Sequence, residues 1–239
     1  MLLRVINVLT SAIFILCIPL MLVTSTSRMA LNHTRLYEYG YAKYEVSSST
    51  GLEPSELTDI SEGLIRYFNS PQELSVAGYF SPQEISHLAD VKNLLRFFFR
   101  VNEICLMVAF CYVAMGFVLL RKKWWPMLAK RLLMSVGLTV ILFAALGIAL
   151  AVNFDAIFSW FHRISFDNLD WLVMPSDMLK QLYPDPFFFD AAIIVVIAVG
   201  IECLAIGLVS GAYLIYRKRR SVAAVATGGG AGTAAVGDQ

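Results

Sequence analysis

Ser81-Pro82-Gln83-Glu84-Ile85-Ser86-His87-Leu88-Ala89-Asp90-Val91-Lys92 runs straight into NLLRFFFRVNEICLMVAFCYVAMGFVLL (93–120). A serine can cap a helix, a proline suits the first helical position, and a glutamate three residues after the cap closes a reciprocal capping box. One helix is therefore predicted from Pro82 through Leu120. Its first three turns are too polar for a bilayer and would stand above it. At about 100° per residue, His87, Val91, Leu94, Phe98, Val101 and Cys105 fall on one side of this helix. Lys92, Arg96, Arg100 and Glu103 form a separate stripe. His87 thus sits at the outer end of an apolar face, with Asp90 one turn on and Glu84 one turn back, both within side-chain reach.

The rest of the chain explains why such a helix would cross a membrane. Of its 239 residues, 58% are hydrophobic and 15% charged, against about 25% charged in soluble domains. An ordinary soluble enzyme is excluded. Four segments meet the roughly 20-residue apolar length that a bilayer demands: about 3–23, 94–120, 132–152 and 191–216. RKKWWPMLAKR (121–131) and RKRR (217–220) hold basic residues and no acid, and Arg4 precedes the first span. The positive-inside rule puts these on the cytoplasmic side. The outer loops, 24–93 and 153–190, hold fifteen of the Asp and Glu residues. The expected fold is an all-α membrane protein. It is a four-transmembrane-helix bundle with both termini inside, a small extracytoplasmic cap from the first outer loop and an interfacial second outer loop. Residues 1–220 form this membrane domain, and the Gly/Ala-rich stretch 221–239 reads as a disordered cytoplasmic tail. The first span reads as an uncleaved signal anchor, longer than a typical signal-peptide core and without a clear cleavage site. All four cysteines fall in spans, so no disulfide framework or thiol nucleophile is expected outside. They read as small apolar packing residues.

Within the first outer loop, Tyr37–Val46 fits either a strand or an amphipathic interfacial segment, and a short helix is predicted around Ser55–Phe68. In the second, Phe154, Ile157, Phe158 and Phe161 make an apolar helical stripe, and Trp160, Trp171 and Tyr183 suit a membrane interface. This loop is read as an interfacial segment over the outer mouth of the bundle.

Candidate chemistry rests on few residues. His87 lies about 10 Å beyond Leu94, and His162 about 15 Å beyond Val152, at 1.5 Å per helical residue. Both belong at the outer surface at similar depth, and histidine is the side chain suited to proton transfer near neutral pH. His33, in NHT, has no acid nearby and reads as solvated. His87 and Asp90 form an HxxD pattern, which with His162 is a thin basis for zinc; no metal and no cofactor are expected. No GxSxG nucleophile pattern occurs. Glu202 lies inside the fourth span, too deep to serve the histidines, and reads as a protonated carboxyl bonded to a neighbouring helix.

Phe80–Leu95 (FSPQEISHLADVKNLL), LIRYFN (64–69) and Trp160–Asp190 (WFHRISFDNLDWLVMPSDMLKQLYPDPFFFD) resemble the signatures of a bacterial integral membrane family. That family is catalogued as a domain of unknown function, and its characterised branch is the lipoprotein intramolecular transacylase, Lit. The resemblance extends over the four-span layout and omits the tail. It implies residence in the bacterial cytoplasmic membrane, with the active site on the extracytoplasmic side. It further implies transfer of the sn-2 acyl chain of a diacylglyceryl-cysteine to that cysteine's own α-amino group. The partners would be the lipoprotein N-terminus and membrane lipid; nucleic acid is not expected. The signature histidines of that branch fall here on His87 and His162.

The residues suit such chemistry. The substrate brings its own amine and its own ester, so the enzyme needs only a base, an acid and a rigid site. His87 and His162 can divide these roles, without the pattern saying which is which. Asp90, one turn from His87, can orient it; Glu84 is a further support. Arg163 and Asn168 are candidates to stabilise the oxyanion. Leu94 and Phe98 would line the acyl groove, with Trp160 and Trp171 as interfacial substrate contacts. The alternative is a non-enzymatic membrane protein that binds lipid or lipoprotein, since a fold alone does not establish catalysis.

Overall fold

The first helix begins as the chain does. In the computed structural model, which describes residues 2–228 with side chains for 5–223, α1 spans Leu2–Leu31. Phe14, Ile18 and Leu22 face inward, while Val8, Leu9 and Leu16 on the other faces stay exposed. A helix apolar on its outer faces as well as its inner one is what a lipid surround permits. The remaining helices are α2 (Thr34–Lys43), α3 (Val46–Thr50), α4 (Pro54–Asn69), α5 (Pro82–Leu120), α6 (Trp124–Ser165), α7 (Met178–Leu182) and α8 (Asp185–Gly228). No strand occurs among the described residues. Three helical stretches are long and apolar enough to cross a membrane: Val5–Leu31, Pro82–Ser165 and Asp185–Ala223.

The second stretch folds back on itself. Arg121 takes φ 45° and ends α5, and a short 3₁₀ turn over Arg121–Lys123 leads into α6. Trp124 then packs on the last turns of α5. A Cβ on Gly116 would come within 2.3 Å of the Trp124 ring, so only glycine allows this approach. At the opposite end, Asn168 just beyond α6 donates to Asp90 near the start of α5 at 2.7 Å. The two helices therefore run antiparallel. Buried Phe14, Ile18, Trp124, Leu128, Val199 and Cys203 join α1, α6 and α8 in one core. Between helices, Asn102 reaches Thr24 Oγ1 at 2.8 Å and Ser25 Oγ at 2.6 Å. Thr26 Oγ1 donates to the Glu202 carboxyl at 3.1 and 3.2 Å, the neighbouring-helix bond expected for that residue. Cys17, Cys105 and Cys203 are buried, and Cys111 is exposed.

Outside this core sits a cap. Leu36, Tyr41, Ile60, Leu64, Leu88 and Leu182 belong to a second buried cluster. Tyr41 Oη bonds both Ser61 Oγ at 2.7 Å and Tyr183 Oη at 2.8 Å. Asp190 accepts from Tyr39, Lys43 and Tyr44, which fastens α2 to α8. Lys92 is buried, donates to Gln72 O at 2.9 Å and sits 3.7 Å from the Tyr67 ring centroid. With Arg96, whose Nη2 donates to Ser70 O at 2.9 Å, half of that separate stripe pins the linker after α4.

Several boundaries differ from the sequence reading. Tyr37–Val46 is not a strand: α2 covers its first part, and α3 starts at Val46. The apolar run ending at Val152 does not end its helix. Asn153 leaves helical geometry (φ −156°, ψ 81°), and its side chain accepts from Ala156 N at 3.0 Å. An asparagine cap restarts the helix at once, carrying it to Ser165. The second outer loop is therefore not one segment lying on the bundle, for Leu179, Leu182, Tyr183 and Phe187 are part of the cap core. Ser221–Gly228, assigned to the tail by sequence, continue α8; 229–239 lie outside the described residues.

Glu84 illustrates how the cap is locked. It is 2% exposed. Its Oε2 accepts from Ser81 N at 2.7 Å, and its Oε1 from Leu179 N at 2.6 Å. Glu84→Ala would strand the buried Leu179 N–H, at about 1–3 kcal/mol, and open the capping box at Ser81 N. Thermal unfolding of the purified variant should show a clear drop in Tm, with Glu84→Gln falling between.

Candidate active site

His87 stands in the second turn of α5, and His162 near the end of α6. Each is more than nine-tenths buried, and their ring centroids are 6.0 Å apart at 34°. The register of α5 is set by its capping box, which forms as predicted. That of the end of α6 is set by the restart at Asn153. The two rings share a jacket of aromatics. The Phe166 ring lies edge-on to His87 at 5.1 Å. Phe158 and Trp171 lie 4.3 and 5.1 Å from His162.

The two imidazoles differ in their bonding. His162 Nδ1 is 2.7 Å from Phe158 O. A carbonyl only accepts, so Nδ1 carries the proton and Nε2 keeps its lone pair. His87 Nδ1 is buried without a hydrogen-bond partner. Burial pushes the His87 pKa down to about 4, His162 adds to that, and Asp90 and Asp170 oppose it. Burial also lowers His162, against the Phe158 carbonyl and the charge of Asp185. Both rings are therefore neutral near pH 7.

This has a measurable consequence. In the unfolded chain His87 binds a proton near pH 6.5; in the folded chain it resists protonation down to about 4. Across that window the unfolded state holds more protons, so stability rises with pH and is lost on acidification. The Tm of purified protein should fall as pH drops from 7 to 5. His87→Phe should flatten that slope; an unchanged slope would count against the assignment.

Below the rings lies a cavity of about 310 Å³, lined by His87, Leu94, Phe98, Phe158, His162 and Phe166 among others. Its walls are almost wholly apolar. Leu94 and Phe98 are thus in the groove where the wheel placed them. Trp171 packs on His162. Trp160 does not join them: it is 59% exposed, because two residues along a helix points to the opposite face. Asp90 is held by Asn168 instead of hydrogen-bonding His87, and it acts on that ring through its charge. Glu84, one turn back, is committed to backbone amides. Arg163 is exposed, with no side-chain hydrogen bond among the described residues. Among those residues no three His, Cys, Asp or Glu side chains cluster as metal ligands. The sequence reading missed Phe158 and Phe166 as walls of the site. It also missed Asp170, which accepts from Ser86 Oγ at 2.6 Å. The two acids of FDNLD (166–170), three residues apart, were its available signal.

A family model for the lipoprotein intramolecular transacylase Lit matches residues 12–188. The chain belongs to the Lit family. It is similar to the integral membrane lipoprotein intramolecular transacylase Lit of Bacillus cereus, with 25% identity, a TM-score of 0.76, and coverage of 90% of this chain and 98% of that one. Structures of that protein with one histidine replaced by arginine or alanine superpose equally, at 24% identity and a TM-score of 0.76. An uncharacterised protein of Aquifex aeolicus is 31% identical over 118 residues, 49% of this chain. The match spans about half the length of that relative. Family membership and the three long apolar helical stretches make this a Lit-like integral membrane protein.

Proposed function

We propose that this Lit-family protein moves the sn-2 acyl chain of a lipoprotein's diacylglyceryl-cysteine onto that cysteine's own α-amino group. The observation that carries the reading is the pair of neutral, buried imidazoles 6.0 Å apart over an apolar cavity. The ester's acyl chain occupies the cavity, against Leu94 and Phe98. His162, whose Nδ1–H is tied to Phe158 O, presents Nε2 as the base. As the amine nitrogen attacks the ester carbon, Nε2 takes its proton. The C–O bond to glycerol then breaks, with His87 N–H donating to the departing oxygen. The proton held by His162 passes to that oxygen, so an amide and a free hydroxyl form and both rings end neutral.

The acidic side chains of Asp90 and Asp170 favour approach of the α-amino group, which is largely cationic at pH 7 with a pKa of about 8; it releases its extra proton to water before attack, so the nitrogen that meets the ester is the neutral amine. Asn168 fixes Asp90, and Glu84 fixes α7 against the start of α5. Arg163, beside His162 in sequence, is the remaining candidate for the oxyanion; Trp160 is read as a membrane-interface anchor. In this reading four crossings place both chain ends in the cytoplasm, following the ten Lys and Arg residues on that side. The histidines then face the extracytoplasmic surface of the bacterial cytoplasmic membrane.

The test is expression of the full chain in a bacterium that makes only diacyl lipoproteins, with tandem mass spectrometry of N-terminal lipopeptides. The expected product carries one acyl group on the α-amine and one fewer on glycerol. Unchanged lipopeptides from correctly inserted protein would overturn the reading, in favour of a lipid- or lipoprotein-binding protein.

A further inference from the structure

The end of the bundle remote from the histidines carries a charge with no counter-charge. Arg131 lies in α6, about 45 Å of helix from His162 at 1.5 Å per residue. It is 9% exposed. Its Nη2 donates to Asn7 Oδ1 at 3.0 Å, while Nη1 is buried with no hydrogen-bond partner. Its guanidinium carbon is 5.3 Å from the ring centroids of both Tyr112 and Trp124. Trp124 is 2% exposed, and its Nε1 is likewise buried without a partner. Ring faces stabilise the cation but give its N–H groups no acceptor.

No carboxylate is at hand to neutralise Arg131. There is no Asp or Glu in α1, none in α5 beyond Glu103, none in α6 before Asp155 and none in the described part of α8 beyond Glu202. Arg121, Lys122, Lys123 and Lys130 are exposed nearby in sequence and add like charge. A buried, unpaired guanidinium is costly, so a partner of opposite charge is expected beside it.

Beside this charge runs a groove of about 780 Å³ between α1 and α5. Its walls are apolar side chains such as Ile13, Met107 and Met115. Its polar points are few: Asn7, the acceptor for Arg131; Thr10; Tyr112 and Trp124, the two rings that flank the guanidinium.

We propose that this groove holds one anionic phospholipid from the leaflet opposite the histidine pair. An acyl chain lies along Ile13, Met107 and Met115, and the phosphodiester meets Arg131 at the Asn7–Trp124 end. The phosphate supplies the missing negative charge. Its oxygens give acceptors to Trp124 Nε1 and, by a turn of the guanidinium from behind the groove wall, to Arg131 Nη1, both enclosed and without partners. The Arg131 guanidinium suits a phosphate because its planar fork binds two oxygens at once. The proposal does not depend on acyl transfer, and a failure of either leaves the other standing.

The probe is delipidated full-length protein in neutral detergent, titrated with dioleoyl phosphatidylglycerol or with dioleoyl phosphatidylcholine and followed by native mass spectrometry. The expected result is retention of one phosphatidylglycerol with at least tenfold preference over phosphatidylcholine. Arg131→Met should erase that preference. Trp124→Phe keeps a ring against the guanidinium, removes only the Nε1 donor, and should reduce the preference severalfold, so the proposal stays testable if Arg131→Met misfolds. Lys130→Gln, changing an exposed charge one residue away, should leave it intact. Equal retention of the two lipids by wild type would overturn the proposal. So would an unchanged preference in folded Arg131→Met or in Trp124→Phe, or loss of the preference in Lys130→Gln.

Discussion

His87→Ala and His162→Ala are each expected to lower lyso-lipoprotein formation by about 10²–10⁴-fold, the range that one positioned acid or base contributes. The larger loss is expected at His162. It has a fixed tautomer, from the 2.7 Å contact with Phe158 O, and so presents a free Nε2 lone pair. His87 lacks any such anchor on its buried Nδ1, so its side chain has more freedom to be replaced. His87→Gln, which retains a donor, should recover part of the activity; no amide recovers a base at position 162. The readout is the ratio of amide-acylated to diacyl lipopeptides at matched membrane abundance. If both alanine variants produce normal amounts of amide-acylated peptide, the histidines are scaffold and the mechanism is wrong.

Leu94→Trp should have the next largest effect. Leu94 lines the cavity beneath the histidine rings, and an indole there occupies space assigned to the acyl chain. The ester carbon is displaced from its line with the amine, and an ångström of misplacement costs about 10²-fold. The fold should tolerate the change, because the added ring fills a void and displaces no packed neighbour. Leu106→Trp, on the same helix at a site 47% exposed, should leave activity near wild type. Equal activity in the two variants would mean that the chain lies elsewhere.

Much of this architecture was legible from local chemistry. The start of α5 and its capping box depend on four consecutive residues, and so did the placing of His87 above Leu94 and Phe98. What escaped was set by partners far along the chain. Glu84 looked like a companion to His87, but its second acceptor site belongs to Leu179 N, 95 residues away. Asp90 looked free to orient His87, but Asn168 holds it. Lys92 looked only like part of a charged stripe; Gln72 and Tyr67 close over it. The Asn153 break resembled a loop start because an asparagine after a long apolar run ends a helix as readily as it caps a new one. Trp160 is a different case: its distance of two residues from His162 already put it on the far side, and the helical wheel continued past Val152 would have said so.

The aromatic jacket around the two imidazoles bears on which product such a site would release. An activated ester has two rivals for its acyl group, the tethered amine and water, and the second would discard a fatty acid and leave the amine bare. Phe158, Phe166 and Trp171 close around the histidine rings, with a cavity beneath whose walls offer water almost nothing to bond. In this reading those three rings act as a filter on nucleophiles. Widening the jacket, as in Phe166→Ala, would then shift the yield from transfer toward hydrolysis, a change of outcome more than of speed.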